Sequence, residues 1–383
     1  MAHFTDTYYE VNGVAKTLQQ QVHYALKNKM SYRMVTCYSE EEATDQPGVR
    51  NFKPIGTYEL PEYPELKINY PPFLEMLAYC YDEEIDHIHA ATPGPVGLAA
   101  LAISKILKLP ISGTYHTAIP QYAQILTGDE SIEEITWKYV LWYYDQLDVV
   151  YAPSTSFKDE LAAKGLDSKK IKLYPRGIDI VLFNPAKRNG IFQNQYPLGQ
   201  GTKLLYVGRV SKEKNLELLV NAFKKLVKAG EKVQLVVVGD GPYREEMCEE
   251  LINLPCCFTG YLENEKLASV YASSDLFVFP STTDTFGNVV LEAQASGLPV
   301  IVSDQGGPCE NMIHGQTGLI CRSDDVESLL DAIQSLLSDT GSRRAMGKAA
   351  RGYVEQRSFE NAFLKMWELY QDPDGDDLVS ALA

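Results

Sequence analysis

Two basic side chains that follow one predicted strand could neutralise a diphosphate. In YVGRVSKEKNLELL, Arg209 comes directly after the strand, and Lys214 lies five residues later, where a helix begins. An Arg fork and a Lys point charge on one loop suit a group with two negative charges. Two solvated surface cations would give the same pattern. The nearby Gly239 and Gly241 lack the third glycine of a dinucleotide fingerprint, so they predict a tight turn.

Two carboxylates follow a second strand in the same half of the chain. In PSTTDTFGNVVLEAQASG, Asp284 lies in the loop after the strand, and Glu292 lies on the helix that follows. The loop carboxylate could hold sugar hydroxyls, and the helical one could accept hydrogen bonds from a ribose diol. Two carboxylates at this spacing also occur by chance in an acidic chain. The N-terminus of the helix, with its unsatisfied N–H donors, would be formed by Phe286, Gly287, Asn288 and Val289.

The first half of the chain offers fewer chemical groups. Gly13 opens a predicted helix, where an anion could approach the free backbone N–H groups, although an ordinary turn between a strand and a helix explains the same residues. His116 follows a strand and could act as a hydrogen-bonding group or be structural. His87 and His89 alternate on one strand and share a face, but no third ligand is evident nearby. We therefore predict no metal site.

The composition excludes several functional classes. The 383 residues include 51 Asp and Glu against 35 Lys and Arg, a formal net charge of −16. The charge is −8 in each half, from 24 acidic and 16 basic residues before residue 186 and 27 and 19 after it. Nucleic-acid binding needs a basic footprint, so we predict no nucleic-acid partner. The same charge argues against strong electrostatic docking on an anionic membrane.

Cysteine usage and hydropathy indicate a cytoplasmic location. Seven scattered cysteines fit neither a disulfide framework nor a zinc site, so reduced thiols are expected. No apolar run approaches the roughly 20 residues that span a bilayer, and the residues after Met1 do not have the pattern of a signal peptide. The inner face of the membrane stays open as a second location.

Strand-like and helix-like segments alternate along both halves, which indicates parallel β-α-β units. The alternation breaks between Ile178 and Gly201 and then restarts. We predict an α/β protein with two Rossmann-like doubly wound domains that face a ligand cleft. The predicted parts are an N-terminal domain over 1–180, a linker over 181–200, a nucleotide-binding domain over 201–352, and a C-terminal helix over 353–383 that returns toward the first domain and ends in a frayed tail. The stretch from Glu40 to Pro72 is predicted to be a surface excursion.

Taken together, these segments resemble the retaining nucleotide-sugar glycosyltransferases of glycosyltransferase family 4, which have the two-domain GT-B fold. The resemblance runs from about residue 3 to about residue 370. It depends on several motifs in order: TDTYYEVNGVAKTL, HIHAATPGPVGLAALAISKILKLP, YPRGIDIVLFNP, YVGRVSKEKNLELLVNAF, VVVGDGP, FTGYLENEKLASVYASSDLFVFPS and DTFGNVVLEAQASGLPVIVSDQGG.

The resemblance implies a role for each candidate residue. Arg209 and Lys214 would grip the donor diphosphate, and Glu292 would bind the ribose hydroxyls. Asp284 would contact the transferred sugar, although many members have Glu at this position, which puts the identity of the sugar in doubt. The remaining implied sites are the backbone of Phe286, Gly287, Asn288 and Val289 at the donor, Tyr261 near the base, Gly13 in a bare first-domain loop, and His116 near the reacting sugar.

The implied reaction transfers a hexose from a UDP- or GDP-sugar to a hydroxyl of a glycolipid or saccharide, with retention, no metal and no cofactor. A weak peripheral membrane contact is compatible with a lipid acceptor, and the oligomeric state stays open. Three alternatives remain. An NAD-dependent oxidoreductase would need the G-x-G-x-x-G fingerprint that this sequence lacks. A two-domain binding protein with a degenerate site would not need the full set of charged residues, and a sugar-nucleotide epimerase or phosphorylase is the nearest related activity.

Overall fold

The chain folds into two compact units. The computed structural model describes residues 1–371 apart from 11, 40, 45, 61, 62, 175 and 197. Within that part, the first unit comprises 1–174 and 363–371, and the second comprises Arg176–Ala362. Each unit has its own hydrophobic core. None of the helices in the described part of the chain combines the length and the hydropathy that a membrane-spanning segment needs.

The first unit contains a seven-stranded sheet in the order β3-β2-β1-β6-β7-β8-β9, in which every neighbouring pair is parallel. The direction of strand order reverses between β1 and β6. Its elements are β1 (Ala2–Phe4), α1 (Gly13–Lys27), β2 (Arg33–Cys37), β3 (Val49–Phe52), β4 (Gly56–Leu60), β5 (Tyr63–Tyr70), α2 (Phe73–Asp82), β6 (Ile88–Ala90), α3 (Pro95–Leu107), β7 (Ile111–Thr114), α4 (Ile119–Thr127), α5 (Glu130–Asp145), β8 (Val149–Ala152), α6 (Thr155–Ala163) and β9 (Ile171–Leu173).

The predicted surface excursion from Glu40 to Pro72 is only partly correct. β3 joins the main sheet as its edge strand, in parallel register with β2. β4 and β5 form a separate antiparallel hairpin. Asn69 on β5 is buried, and its side-chain amide donates to the Cys37 carbonyl at 3.0 Å. The described residues of this segment therefore form an edge of the domain; Glu40, Asp45, Pro61 and Glu62 lie outside the described residues.

The second unit contains a six-stranded parallel sheet in the order β12-β11-β10-β13-β14-β15. Its strand order reverses between β10 and β13. Its elements are α7 (Ile191–Asn194), β10 (Thr202–Val207), α8 (Leu216–Lys228), β11 (Val233–Val238), α9 (Arg244–Glu250), β12 (Cys256–Gly260), α10 (Asn264–Ser273), β13 (Leu276–Phe279), α11 (Asn288–Ala295), β14 (Val300–Ser303), β15 (Gly318–Cys321), α12 (Val326–Ser338), α13 (Thr340–Glu355) and α14 (Phe359–Gln371), the last of which continues into the first unit.

The sequence explains why these elements form. All six residues of β11, VQLVVV, are buried, as expected for a parallel strand covered on both faces. In α8 the buried positions Leu216, Leu219, Val220 and Phe223 recur at helical spacing, while exposed polar and charged residues occupy the opposite face. The alternation that predicted two doubly wound domains is thus the alternation of buried strands with one-sided helices.

The boundaries between the units differ from the predicted ones. The predicted linker over 181–200 belongs to the second unit, where the Asn189 side-chain amide donates to the hydroxyl of Ser269 on α10 at 3.1 Å. The second unit extends to Ala362 rather than 352, because α13 and the start of α14 belong to it. From residue 363 onward α14 packs on the first unit, with the Phe363 ring 5.1 Å from that of Tyr24. The predicted frayed tail lies outside the described residues.

Candidate functional site

The candidate residues of the second unit gather at the carboxyl ends of β10 and β13. These two strands are parallel neighbours at the point where the strand order reverses. Arg209 follows β10, Lys214 ends the short 3-10 turn Lys212–Lys214, and Asp284 follows β13. Open α/β sheets bind ligands in the crevice at such a switch point. The structure therefore brings together two loops that the sequence separates by about 70 residues.

Lys214 and Asp284 form an ion pair at this edge. The Nζ of Lys214 lies 2.9 Å from Oδ2 of Asp284, and the two side chains are 13% and 24% exposed. The hydroxyl of Ser281 donates to the same carboxylate oxygen. The hydroxyl of Thr283 donates to the Glu213 carbonyl at 3.2 Å and ties the two loops together. The pair is thus held in place, yet both groups remain accessible to a charged ligand.

The loop that contains Arg209 is anchored through its backbone. The hydroxyl of Tyr206, a fully buried residue, donates to the Arg209 carbonyl at 2.8 Å. Gly239 lies against the same loop, since a Cβ there would be 2.0 Å from the Gly208 carbonyl oxygen. A Cβ at Gly241 would likewise lie 2.4 Å from the Val210 carbonyl oxygen. These glycines allow the loop after β11 to pack directly on the loop of Arg209.

The helix that follows Asp284 begins as predicted. Gly287 adopts a left-handed conformation with φ of 81° at the N-cap, and α11 starts at Asn288 and continues through Val289. A Cβ at Gly287 would lie 2.9 Å from the Pro308 ring. Both the positive φ and this close approach therefore favour glycine at the position. The neighbouring Phe286 is buried, with the Arg176 guanidinium 4.8 Å from its ring centroid.

Glu292 lies about one turn into α11 and is only 5% exposed. Its Oε2 accepts a hydrogen bond of 2.8 Å from the hydroxyl of Tyr271 on α10. Burial, and then the neighbouring Glu292 carboxylate, raise the pKa of Tyr271 well above its usual value. The phenol therefore keeps its proton and acts as a donor to the carboxylate.

Tyr261 follows β12 and is 59% exposed. The strand β12 is the edge strand of the sheet, two strands from β10. The contact of Tyr261 with the base of a nucleotide stays a prediction.

The candidates of the first unit lie at the carboxyl ends of other strands. His116 follows β7, is buried, and meets the Tyr174 ring edge-on with the ring centroids 5.7 Å apart. Gly13 begins α1 as predicted, and Asn12 caps the helix by accepting from the Ala15 backbone N–H at 2.8 Å. Their roles at a reacting sugar or diphosphate stay predictions.

The histidines predicted to share a face do so. His87 Nε2 and His89 Nδ1 each lie 2.9 Å from the hydroxyl oxygen of Ser112. Burial lowers the pKa of His87 to about 4 and lowers that of His89 well below its usual value. Within the described part of the chain, no group of three or more His, Cys, Asp or Glu side chains could hold a metal ion.

Sequence reasoning missed several buried polar contacts. Asp6 accepts hydrogen bonds from the Thr92 hydroxyl at 2.6 Å and from the Val96 backbone N–H at 2.8 Å, at the N-terminus of α3. Asp6 lies inside the motif TDTYYEVNGVAKTL, but the motif does not reveal its partners. The contacts of Ser281 with Asp284 and of Tyr271 with Glu292 had no signal in the sequence beyond the residue types.

Comparison with known proteins assigns both units to glycosyltransferase families. Residues 190–353 match the family model described as "Glycosyl transferases group 1", and residues 11–182 match that described as "Glycosyltransferase Family 4". The solved structure of HepE from Anabaena in complex with UDP and glucose aligns with a TM-score of 0.78 at 18% identity, over 97% of this chain and 99% of that one.

Three curated relatives are similar over most of this chain. Sulfoquinovosyl transferase SQD2 of Arabidopsis thaliana is 35% identical over 73% of this chain, but the match spans only 55% of that protein. A GDP-mannose-dependent alpha-mannosyltransferase of Corynebacterium glutamicum is 30% identical over 85% of this chain and 79% of the relative. An alpha-monoglucosyldiacylglycerol synthase of Streptococcus pneumoniae is 30% identical over 80% of this chain and 71% of the relative.

These matches agree with the two parallel sheets and with the motifs that place charged residues at their carboxyl edges. They confirm the predicted family and the predicted α/β class with two Rossmann-like domains. The chain belongs to the group 1 glycosyltransferases of family 4, enzymes with the GT-B fold.

Proposed function

We propose that this glycosyltransferase moves a hexose, with retention of configuration, from a UDP- or GDP-sugar to a hydroxyl of a glycolipid or saccharide. The observation that carries the proposal is the Lys214–Asp284 pair at the switch point of the second sheet, followed by the buried Glu292. The names of the relatives support this class of reaction, since they include a GDP-mannose donor and a glucosyldiacylglycerol product.

Lys214 and Arg209 would stabilise the leaving diphosphate. The ammonium of Lys214 has three donors, so it can keep Asp284 as one partner and still donate to a phosphate oxygen. Negative charge grows on the diphosphate as its bond to the sugar breaks, and cations that are already in place stabilise that charge without reorganisation. Because the chain supplies this charge itself, we propose a reaction that needs no metal and no cofactor.

The carboxylates would recognise the two sugars of the donor. Asp284, held by Ser281 and Lys214, would accept hydrogen bonds from the hydroxyls of the transferred hexose. Glu292 would accept from the ribose diol. The acceptor hydroxyl would form its bond to the anomeric carbon on the face that the diphosphate leaves, and its proton would pass to a departing phosphate oxygen. This course retains the configuration without a protein nucleophile.

We assign the acceptor to the first unit, with His116 and Gly13 as its candidate residues. A net charge of −16 makes broad electrostatic adhesion to an anionic membrane unfavourable. A lipid acceptor would therefore be held mainly by apolar contacts, with at most a weak peripheral membrane contact. All seven cysteines are free in the structure, which supports a reducing compartment such as the cytoplasm.

Thermal unfolding with UDP, GDP and NAD tests this proposal. One of the two nucleoside diphosphates should raise the melting temperature, since a ligand at 100 times its Kd stabilises the folded state by about 2.7 kcal/mol. NAD should have no effect. The corresponding sugar donor should then yield a product whose anomeric configuration, measured by NMR, equals that of the donor. Stabilisation by neither diphosphate, or an inverted product, would contradict the proposal.

A further inference from the structure

A buried phenol–carboxylate contact joins two consecutive helices of the second unit. Tyr271 on α10 is fully buried, and its hydroxyl donates to Oε2 of Glu292 on α11 at 2.8 Å. Burying a carboxylate is costly unless it receives hydrogen bonds. The hydroxyl of Tyr271 therefore offsets part of the cost of burying the Glu292 carboxylate.

The ring of Tyr271 is fixed by aromatic neighbours. The Phe183 ring meets it edge-on, with the centroids 5.6 Å apart and the planes at 87°. The Phe277 ring lies 5.9 Å away on β13. Both phenylalanines are fully buried. Because dense packing leaves the ring one orientation, the position of its hydroxyl is set before any ligand arrives.

We infer that Tyr271 is a positioning residue for donor recognition: its hydroxyl fixes the rotation of the Glu292 carboxylate and thereby the affinity for the ribose diol. This inference rests on the proposed function. The terminal torsion of a Glu side chain is broad, so a carboxylate loses conformational freedom when a bound diol orders it, and the hydrogen bond from Tyr271 narrows its orientations beforehand. A carboxylate that is already oriented loses less conformational entropy on binding. Tyr271 should therefore affect the Kd of the donor rather than kcat.

A second Tyr–Glu contact in the same unit provides a matched control. The hydroxyl of Tyr243 donates to Oε1 of Glu250 at 2.6 Å. Glu250 also pairs with the Nζ of Lys224 at 2.7 Å, and its side chain is one-third exposed. Neither Tyr243 nor Glu250 is a candidate donor-binding residue. Tyr243→Phe therefore removes the same kind of bond without changing the position of Glu292.

The test compares Tyr271→Phe with the wild type by calorimetric titration of the nucleoside diphosphate that binds, UDP or GDP, and of its 2′,3′-dideoxy analogue. We expect the Kd of the ribose form to rise about tenfold, since hydrogen bonds to charged groups are among the stronger ones. The Kd of the dideoxy form should stay within about twofold, and kcat at saturating donor should change by less than about threefold. Tyr243→Phe should bind both nucleotides like the wild type.

Each other outcome counts against the inference. Equal weakening of the ribose and dideoxy forms would show that Tyr271 only supports packing, and no weakening of either would show that it has no role. A wild type that binds neither UDP nor GDP would overturn the proposed function and the inference with it. If wild-type binding is intact and only the ribose dependence fails, the inference alone is wrong.

A second variant allows the same test if Tyr271→Phe does not fold. Replacement of Tyr271 by 3-fluorotyrosine retains the ring and makes the phenol a stronger donor. The ribose form should then bind about two- to threefold more tightly, while the dideoxy form stays unchanged. Unchanged affinity for both forms in this variant would overturn the inference.

Discussion

The two units build similar parallel sheets, but one pair of ionisable side chains in each unit is placed differently. In the second unit Lys214 and Asp284 lie at the carboxyl edge of the sheet, paired and partly accessible. In the first unit His3 and His89 are fully buried on the strands themselves. Charged groups at a strand end can exchange a partner for a ligand, whereas groups inside the sheet cannot. The contrast therefore separates the Lys214–Asp284 pair, which would bind a ligand, from the His3–His89 pair, which belongs to the core.

Three histidines of the first unit, His3, His87 and His89, lie close together, and burial favours their neutral form. His3 and His89 are paired in register on β1 and β6, and their ring centroids are 4.3 Å apart. The hydroxyl of Tyr370 on α14 lies 3.0 Å from Nδ1 of His89, and that of Tyr32 lies 2.8 Å from Nδ1 of His3. Two protonated rings at this distance would repel each other in a buried site. The cluster is thus a neutral part of the core that α14 helps to cover.

The largest expected effect is the loss of stability of the first unit in mild acid. Burial lowers the pKa of His3 to about 3 and that of His87 to about 4, and His89 is lowered well below its usual value. The unfolded chain therefore binds more protons than the folded one. Stability is fully present above the ordinary pKa of about 6.5 and falls as the pH drops toward 4, by about 2 kcal/mol per histidine at pH 5.

Urea unfolding followed by tryptophan fluorescence measures this effect. All three tryptophans, Trp137, Trp142 and Trp367, lie in the first unit, so their emission reports on that unit. His87→Gln keeps a hydrogen-bonding group near Ser112 but does not titrate, and it should reduce the pH dependence by about a third. A free energy of unfolding that is the same at pH 7 and pH 5 would show that the cluster is not a neutral core element.

The next effect concerns catalysis in the second unit. Lys214→Ala removes a cation from the switch point and leaves Asp284 without that partner, and Arg209→Ala removes the other candidate cation. Each should lower kcat/KM at least about tenfold, or about 1.4 kcal/mol of transition-state stabilisation. The matched control is Lys212→Ala, because Lys212 lies two residues away but is paired on the surface with Glu246. Initial-rate kinetics with the cognate donor would measure all three.

Wild-type turnover in both Lys214→Ala and Arg209→Ala would contradict the assignment of these cations to the diphosphate. An equal loss in Lys212→Ala would mean that the loop responds to any loss of charge. Either result would mean that the charged residues at the switch point of the second unit do not have the specific role in diphosphate binding that is assigned to them.

The sequence predicts the position of a side chain that follows a recognisable strand. It does not predict which side chains from distant parts of the chain contact each other. Lys214, Asp284 and Glu292 could be placed because each follows a recognisable strand in a parallel sheet. Tyr271 could not, because it lies 21 positions before Glu292 and no sequence periodicity links residues on adjacent helices. Asp6 was missed for the same reason, since its donors come from the start of α3.

The domain boundaries and the region after β2 were predicted less accurately, because their placement depends on contacts with distant parts of the chain. The segment 181–200 has few apolar residues in a periodic pattern, so it was predicted as a linker, yet polar contacts such as Asn189 with Ser269 attach it to the second unit. β3 has only four residues, too few for an alternation to be recognised, and its place depends on its pairing with β2. Short elements are placed by partners that the local sequence does not contain.

The smallest expected effect is that of chelation, and it tests whether the side-chain cations of the second unit suffice. If Arg209 and Lys214 neutralise the leaving diphosphate without a divalent ion, exhaustive dialysis against EDTA should change kcat/KM by less than about twofold. Initial rates before and after dialysis measure this, with Lys214→Ala assayed in parallel. Lost activity that magnesium restores would mean that an ion shares the charge at the switch point. The contrast between the charged Lys214–Asp284 pair of the second unit and the neutral His3, His87 and His89 of the first would then fail, because the side-chain cations alone would not stabilise the diphosphate.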